Sequence, residues 1–419
     1  MGAKIFIATA ANGGDDGNNG LTTGAPKLTF RNALNTVNES GTIEIIDSAV
    51  HFPSHNFDNR AVVPHAVNIH AAEGQTPILD GSQAASANEE GFAVNTRGFI
   101  DFKGIKFQNF GGNSNNQIVR QAKFATVRYT DCVFTNMSNA ISLFHQPASG
   151  SPAETNMLDR CRIERTVSSS LFNDPGQSSG QWNFLLQNSV FEYQNGTISG
   201  NYVDAGGDNY IGGIVRNCSF LVGLSGSDTT LIRAGVVENT IVRNTASNAV
   251  HSTDNHKAIR ARTEYSNNCV FGNFGTTEVD TTSVGATNGG GLVTLNPLFV
   301  DESSTDTNPP DLQLQGDSPC IDAGKTIAAV TVDFLGVARP QSTAYDIGAF
   351  ENVYWMSADN SEGNETKFGP NNFEIRTTKR KLASRVFPAA SDNRQAPYFI
   401  TIPGPVNIRG RTTPYKNET

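Results

Sequence analysis

The chain has 419 residues and a formal net charge of −9, and only 17% of its residues are charged. Glycine accounts for 40 residues, and asparagine, serine and threonine are abundant, which is typical of turn-rich β structure rather than of helical proteins. The negative charge argues against a nucleic-acid partner, and no stretch approaches the roughly 18 apolar residues of a membrane span.

Residues 1–40 are predicted to form a strand and a capping helix. The first seven residues lead into polar, glycine-rich chain without the apolar core of a secretion signal, so we expect synthesis in a cytoplasm. Residues 28–37 are apolar at positions 28, 30, 33, 34 and 37, close to a helical stripe, and this helix is expected to cover the first coil. Residues 15–20 lack the ligand order of a calcium loop and are predicted to form a turn.

From residue 104 onward a four-residue phrase recurs: a polar or glycine residue, a small residue, any residue, and a bulky apolar residue. The bulky residues follow at steps of 27, 29, 28, 29, 22, 29 and 28: Phe107, Phe134, Ile163, Phe191, Phe220, Val242, Phe271 and Phe299. This period is too short for a strand–helix–strand crossover and fits one coil of a parallel solenoid. We therefore predict an all-β, right-handed parallel β-helix with its body at residues 41–351.

The alternation inside the phrase predicts stacked columns. The small residues, with four of the five cysteines, are expected to form an inward column: Cys132, Cys161, Ser189, Cys218, Thr240 and Cys269. Buried free thiols are favoured over disulfides, because five is odd and the expected compartment is reducing. Asparagines two positions after a bulky residue predict a ladder of stacked turns: Asn109, Asn136, Asn244 and Asn273.

Five ordered segments follow the repeat: NPLFVD at 296–301, DLQL at 311–314, GDSPCIDAG at 316–324, DFLGVARP at 333–340 and DIGAFE at 346–351. This series resembles the C-terminal signature of choice-of-anchor Q domain proteins. The resemblance implies a pectate-lyase-like parallel β-helix, and residues 311–314 and 330–332 are expected to close the stack. Members of that family usually carry an export signal and a surface anchor, and we expect this protein to have neither.

Residues 352–419 are predicted to be an extension for attachment or assembly. They contain ten Lys or Arg and six Asp or Glu, a balance of +4, so the preceding body carries −13. A basic extension suggests docking on an acidic surface such as a neighbouring copy, with a solvated C-terminus as the alternative. A β-helix made without export resembles bacteriophage spike and decoration proteins. We therefore predict a structural virion protein, trimeric by the same resemblance, that contacts other virion proteins through this extension.

The alternative functions are a polysaccharide lyase or glycoside hydrolase acting on surface glycans, and a surface adhesin. We predict no catalytic residues, metal site or cofactor. The His51/His55 pair is separated by Pro53, and the serine motif at 176–180 lacks a following helix. Arg233 and Glu238 are expected on adjacent strands. The residues predicted to face a host glycan are Asp204, Asp208, Trp182, Tyr193, Tyr202 and Tyr210.

Overall fold

A computed structural model describes residues 3–53, 61–63, 66–82, 91–94, 98–110, 118–121, 125–137, 155–164, 184–196, 202–204, 212–224, 230–246, 257–274, 279–280, 286–303, 309–353, 355–356 and 367–368. Within these ranges the chain forms the predicted parallel β-helix, built from three parallel sheets that we name A, B and C. No helix in this part of the chain is long and apolar enough to cross a bilayer.

Successive coils contribute strands to sheets A and B, and three of the described coils also contribute a strand to sheet C. Sheet A contains β1 (Lys4–Ile7), β2 (Gly41–Ile45), β5 (Ala66–Ala71), β8 (Phe99–Lys103), β11 (Thr126–Thr130), β13 (Asn156–Asp159), β15 (Phe184–Gln187), β17 (Val203–Asp204), β18 (Ile214–Arg216), β20 (Thr230–Glu238), β22 (Lys257–Ser266), β24 (Val279–Asp280) and β25 (Thr287–Asn288). Sheet B contains β3 (Val50–His51), β6 (Ile78–Asp80), β9 (Lys106–Gln108), β12 (Val133–Thr135), β14 (Arg162–Ile163), β16 (Val190–Gly196), β19 (Ser219–Leu224), β21 (Ile241–Asn244) and β23 (Cys269–Gly272). Sheet C contains β4 (Ala61–Val63), β7 (Phe92–Val94) and β10 (Val119–Gln121).

The bulky inward side chains of sheet B lie one above another, as the repeat predicted. The strand register aligns them in one column: Phe107, Phe134, Ile163, Phe191, Phe220, Val242 and Val270. Ring centroids are 5.2 Å apart for Phe107 and Phe134, and 4.3 Å apart for Phe191 and Phe220. All members of the column are buried. Stability therefore comes from contacts between adjacent coils.

The end of the column differs from the prediction by one residue. Cys269 pairs with Ile241, so it lies on the outer face of sheet B, and Asn268 takes the small inward place. Phe271 is half-buried and lies outside the bulky column. The prediction was wrong here because two asparagines adjoin, and the backbone turns at Asn267 (φ 48°) rather than one residue later. All five cysteines are buried and free, as predicted.

Left-handed corners join sheet A to sheet B in each of six successive coils. The corner residues have φ between 48° and 54°: Asp131, Arg160, Asn188, Asn217, Asn239 and Asn267. Asparagine and aspartate adopt this backbone region more readily than other residues with a side chain. The asparagine ladder predicted at the far end of sheet B is present as two hydrogen-bonded pairs, Asn136 with Asn109 (2.5 Å) and Asn244 with Asn273 (2.6 Å).

The predicted capping helix is confirmed at the N-terminal end of the stack. Helix α1 (Phe30–Thr36) begins after Thr29, whose hydroxyl accepts a backbone hydrogen bond in the first turn. Phe30 is buried against Phe92 of sheet C, with ring centroids 5.3 Å apart. The helix therefore covers apolar side chains of the first coils.

Residues 20–27 close the outer edge of β1. The Phe6 N–H donates to Gly20 O (2.7 Å), and the Lys27 N–H donates to Phe6 O (2.8 Å). Residues 15–20, next to the 3-10 turn at Ala10–Asn12, form the predicted turn region. These bonds occupy the outer backbone groups of β1, which blocks the addition of another strand there.

Residues 296–352, which we name the strap, lie across the outer face of sheet B. Residues 311–314 were expected, together with residues 330–332, to close the end of the stack; for 311–314 that prediction was wrong, because Leu312 and Leu314 pack against outward side chains of sheet B. The strap contains the antiparallel strands β26 (Phe299–Asp301) and β27 (Asp311–Leu314), and the antiparallel pair β28 (Trp355–Met356) and β29 (Lys367–Phe368) follows it. It buries outward apolar side chains of sheet B, which gives the physical reason for its position: Val190, Leu221, Ile241 and Cys269.

A buried charge cluster holds the strap together. Arg339 donates from Nη1 to Glu351 Oε2 (2.6 Å) and from Nη2 to Gly348 O (2.8 Å). Asp346 lies in the same cluster and accepts from the Asn352 N–H (2.6 Å). Burial raises the pKa of Glu351 to about 8 against the opposing charge of Arg339, and burial raises the pKa of Asp346 to about 6. The cluster therefore contains two buried carboxyl groups, those of Asp346 and Glu351, beside the single guanidinium group of Arg339.

We expect Phe191→Ala to lower the free energy of unfolding by about 3–5 kcal/mol, because it leaves a cavity in the inward column. Phe271→Ala is the matched control, since that ring is only partly buried and lies outside the column. Denaturant titration followed by circular dichroism measures both. Equal losses for the two variants would contradict the assigned register.

We expect the stability of Glu351→Gln relative to the wild type to increase with pH. The folded pKa of Glu351, about 8, exceeds its ordinary value of 4.5, so its ionisation costs more in the folded state. The ionisation of Glu351 therefore lowers the stability of the wild type by up to about 5 kcal/mol as pH rises through that window, and the glutamine variant lacks this contribution. Unfolding free energies at several pH values test this, and a pH-independent difference would refute the assigned direction.

Candidate functional site

The candidate site lies on the longest strands of the β-helix. The first halves of β20 and β22 pair with β17 and β24, while their second halves pair with β18 and β25. We name the first group, which consists of β17, the first halves of β20 and β22, and β24, the four-strand strip. In earlier coils the strands of sheet C hold the same place in the chain, immediately before the sheet A strand.

One register position of the four-strand strip carries a charged residue on every strand. Asp204 pairs with Arg233, Arg233 with Arg260, and Arg260 with Asp280. We name these four residues the charge row. The chain thus aligns two arginines between two aspartates, although the four residues are separated by 20 to 29 positions in sequence.

The residues immediately before the charge row form its apolar support. They are paired in the same register: Val203, Ile232, Ile259 and Val279. The first three are fully buried, and the fourth packs against the same core. Because side chains alternate along a strand, this places the Arg233 and Arg260 side chains on the outer side, where both are half-buried.

The spacing of the strands brings the two guanidinium groups side by side. Neighbouring strands lie about 4.8 Å apart, and like charges directly opposite each other weaken strand pairing. The charge row is therefore neutral as a whole, with its two arginines adjacent at the centre and one aspartate at each end.

Of the predicted glycan-facing residues, Asp204 lies in the charge row. Tyr193 and Tyr202 were predicted to face a glycan, and this prediction was wrong: both are fully buried, with ring centroids 5.6 Å apart. Their rings fill the core, as the largest apolar surfaces of the chain do. Trp182, Asp208 and Tyr210 lie outside the described residues, as do His55 and the serine motif at 176–180.

The pairing of Arg233 with Arg260 was not predicted from the sequence. Arg233 and Glu238 were expected on adjacent strands, yet both belong to β20. The partner of Arg233 is Arg260, which the sequence analysis did not single out. The tripeptide Ile-Arg-Ala occurs at 232–234 and again at 259–261, one coil later. This repeat is the sequence signal from which the pair could have been predicted. Asp280 carries no comparable signal, because the short strand β24 has no repeated phrase.

Other polar clusters of the described chain serve the fold. Asp47 accepts from Thr9 and Asn12 and pairs with His51 at 2.6 Å, which fixes the first loop. Burial alone would raise the pKa of Asp47, but these hydrogen bonds lower it below its usual value. Among the described residues, no group of three or more His, Cys, Asp or Glu is placed to hold a metal ion.

Comparison with known proteins yields no family for this chain. No family model matches it, and no curated protein matches it. Among solved structures, pectate lyase Pel9A is similar with a TM-score of 0.39 and 15% identity, covering 83% of this chain and 96% of that one. The GH136 lacto-N-biosidase from Eubacterium ramulus is similar with a TM-score of 0.28 and 8% identity, covering 70% of this chain and 68% of that one. Neither likeness assigns an activity to this chain.

We expect Tyr202→Ala to act on stability and not on ligand binding. The substitution removes a fully buried ring and should cost about 3–5 kcal/mol of unfolding free energy. Glycan affinity, measured by calorimetry well below the unfolding transition, should stay at the wild-type value. If Tyr202→Ala lowered glycan affinity and left the unfolding free energy unchanged, Tyr202 would contact the glycan after all.

Proposed function

We propose that this protein is a carbohydrate-active β-helix that binds an acidic polysaccharide along the charge row and cleaves it there by β-elimination. The observation that carries the proposal is the alignment of Asp204, Arg233, Arg260 and Asp280 on four neighbouring strands. The substrate class follows from the arginine pair, and the reaction class follows from the placement of the aspartates.

The arginine pair favours carboxylate groups. A guanidinium is planar, remains charged, and donates two parallel hydrogen bonds to a carboxylate. Arg233 and Arg260 repeat this donor at the spacing of neighbouring strands, about 4.8 Å, along the axis of the stack. A polymer with a carboxylate on successive sugar units matches such a row, whereas a neutral glycan has no group that needs it.

The position of the aspartates favours elimination over hydrolysis. Asp204 and Asp280 are three strand steps apart, about 14 Å, whereas a hydrolase needs its two carboxyl groups about 5–9.5 Å apart. In elimination, an arginine paired with the uronate carboxylate makes the adjacent C–H more acidic. A base takes that proton, its electron pair forms the new C=C bond, and the glycosidic oxygen leaves and is protonated. Asp204 or Asp280 is the base that we assign.

We expect Arg233→Gln and Arg260→Gln to weaken binding of polygalacturonate by about tenfold or more each, the loss of one charged hydrogen-bonding group. Calorimetry measures the affinity, and ultraviolet absorbance of unsaturated uronate ends measures cleavage. Arg128→Gln is the matched control, because Arg128 is an exposed arginine on β11 that packs over the Phe99 ring (5.1 Å).

Three outcomes separate the parts of this proposal. Binding without unsaturated products leaves a glycan-binding protein and removes the elimination step. Equal affinity for dextran and polygalacturonate contradicts the carboxylate assignment. Unchanged binding in both arginine variants contradicts the charge row as the site.

The virion role predicted from the sequence also stands as a proposal. The division between an acidic body (−13) and a basic extension (+4) supports attachment through residues 352–419, and a surface glycan of the host would then be the polymer at the charge row. The trimer likewise stays a prediction, which light scattering of the full chain tests directly.

A further inference from the structure

The strap and the coils bury their apolar side chains in two separate clusters. One cluster fills the inside of the coils, and the other joins outward residues of sheet B to the strap. Cys132, Cys161 and Cys218 belong to the inner cluster, whereas Cys269 and Cys320 belong to the outer one. Because sheet B lies between the two clusters, separation of the strap from the outer face would leave the core of the coils buried.

Residues 346–351, which we name the docking turn, seat the strap on sheet B. The Gly348 N–H donates to Asn239 O (2.9 Å), and the Ala349 N–H donates to Ser219 Oγ (3.0 Å). A Cβ atom at Gly348 would lie 2.9 Å from the same Ser219 Oγ, so this close approach requires glycine. Asn239 precedes β21 and Ser219 begins β19, so the docking turn contacts two neighbouring coils.

The buried charge cluster of the strap holds the docking turn from the other side. Arg339 donates from Nη2 to Gly348 O (2.8 Å) and from Nη1 to Glu351 Oε2 (2.6 Å). The Glu351 N–H donates to Asp333 Oδ2 (2.8 Å), and the Asp346 N–H donates to Glu351 Oε2 (3.4 Å). The first and last residues of the docking turn are thus both bonded to charged groups, which couples the charge of the cluster to the seating of the strap.

With Asp333 included, the charge cluster has three carboxyl groups and one guanidinium group. Its residues, each at most 6% exposed, are Asp333, Asp346, Glu351 and Arg339. Full ionisation would place three negative charges and one positive charge in this buried volume, a balance of −2. Within the strap, Asp322 adds a negative charge beside Asp346, and the Tyr345 ring lies 6.0 Å from the guanidinium carbon. Ionisation of the last acid therefore adds a charge that the guanidinium does not balance.

The outward arginines of sheet B bind the first part of the strap rather than the docking turn. The charged outward residues of β14, β16 and β21 are Arg162, Glu192 and Arg243. Arg162 donates to Pro310 O (2.7 Å), and Arg243 binds Glu302 through two hydrogen bonds (2.9 and 3.0 Å). The docking turn instead bonds to a hydroxyl and a backbone carbonyl of sheet B, neither of which is charged.

Protonation of the charge cluster favours the docked strap. Burial raises the pKa of all three acids, that of Asp346 to about 6 and that of Glu351 to about 8. A solvated glutamate ionises near 4.5, so the docked strap binds more protons than a separated strap between that value and about 8. Rising pH therefore shifts the balance toward separation, on the order of 50- to 100-fold from pH 6 to pH 8, and the shift levels off above that range.

We propose that the docking turn is an alkaline-sensitive latch, which separates the strap from the outer face of sheet B as pH rises while the coils stay folded. Separation admits water to the acids of the charge cluster and uncovers the outer apolar cluster. The Ile347 N–H donates to Cys320 O (2.9 Å), so Cys320 reports directly on the docking turn. The latch is independent of the function proposed for the charge row, because no residue of the charge row belongs to the strap.

Thiol alkylation of the full chain, resolved by residue, tests the latch. Labelling by N-ethylmaleimide is followed at each cysteine by peptide mass spectrometry from pH 6 to pH 8, and each rate is divided by that of N-acetylcysteine at the same pH. We expect the normalised rates of Cys269 and Cys320 to rise about 50- to 100-fold. Cys132, Cys161 and Cys218 are internal controls inside the coils and should stay protected at every pH.

Two carboxamide variants test which acid controls the latch. Glu351→Gln should reduce the rise to about twofold, because only the smaller contribution of Asp346 then remains. Glu302→Gln is the matched control, since it removes a strap acid bonded to sheet B outside the charge cluster. It should raise labelling by the same factor at each pH and keep the full rise.

Circular dichroism at each pH confirms that the variants keep their β structure. A normalised rate for Cys320 that does not change with pH overturns the proposal. Equal labelling of all five cysteines also overturns it, because the whole chain would then unfold rather than the strap alone. A full rise in Glu351→Gln removes the charge cluster as the cause.

Discussion

In-register stacking of inward side chains between adjacent coils is the interaction on which the rest of the molecule depends. Each coil is too small to bury its own apolar residues, so Phe107, Phe134, Phe191 and Phe220 are buried only because the coils on either side carry a matching side chain. The left-handed corners keep this register, because the backbone adopts the same left-handed conformation between sheet A and sheet B in each of these coils. A corner that moves by one residue changes which side chains of the following strand face inward, as at Asn267, where Val270 takes the inward position instead of Phe271.

Sheet B is apolar on both faces along its later strands, and this determines the course of the C-terminal segment. The inner face builds the coil core, while the outer face, at Val190 and Ile241, requires a second layer. The strap supplies this second layer, and in doing so it buries the Arg339–Glu351 ion pair. The buried pair is tolerated because both carboxylate oxygens of Glu351 and two of the three guanidinium nitrogens of Arg339 form hydrogen bonds within the strap.

The four-strand strip shows how the same stacking produces a site. A rigid row of isoleucine and valine fixes the strands from inside, and the alternation of side chains then presents Arg233 and Arg260 on the outside at a fixed spacing. The register shifts between Ala234 and Val236, immediately after the charge row, because β22 has one more residue than β20 at this point, which is a β-bulge. Such bulges change the direction of a strand and are frequent near binding sites. The arginines are thus positioned by backbone pairing rather than by a mobile loop.

The sequence alone determined the fold class, the coil period and the inward column from Phe107 to Val242, because a repeated phrase reports which side chains are buried whatever the rest of the chain does. It also identified Asp204 as a candidate. It did not determine that Tyr193 and Tyr202 face inward, that the turn near Asn268 falls one residue earlier, or that the strap lies on the side of the stack. Those features depend on register and on contacts between distant residues. The Arg233–Arg260 pair has the same origin: a repeated tripeptide indicates it, but only the pairing of β20 with β22 makes the two residues neighbours.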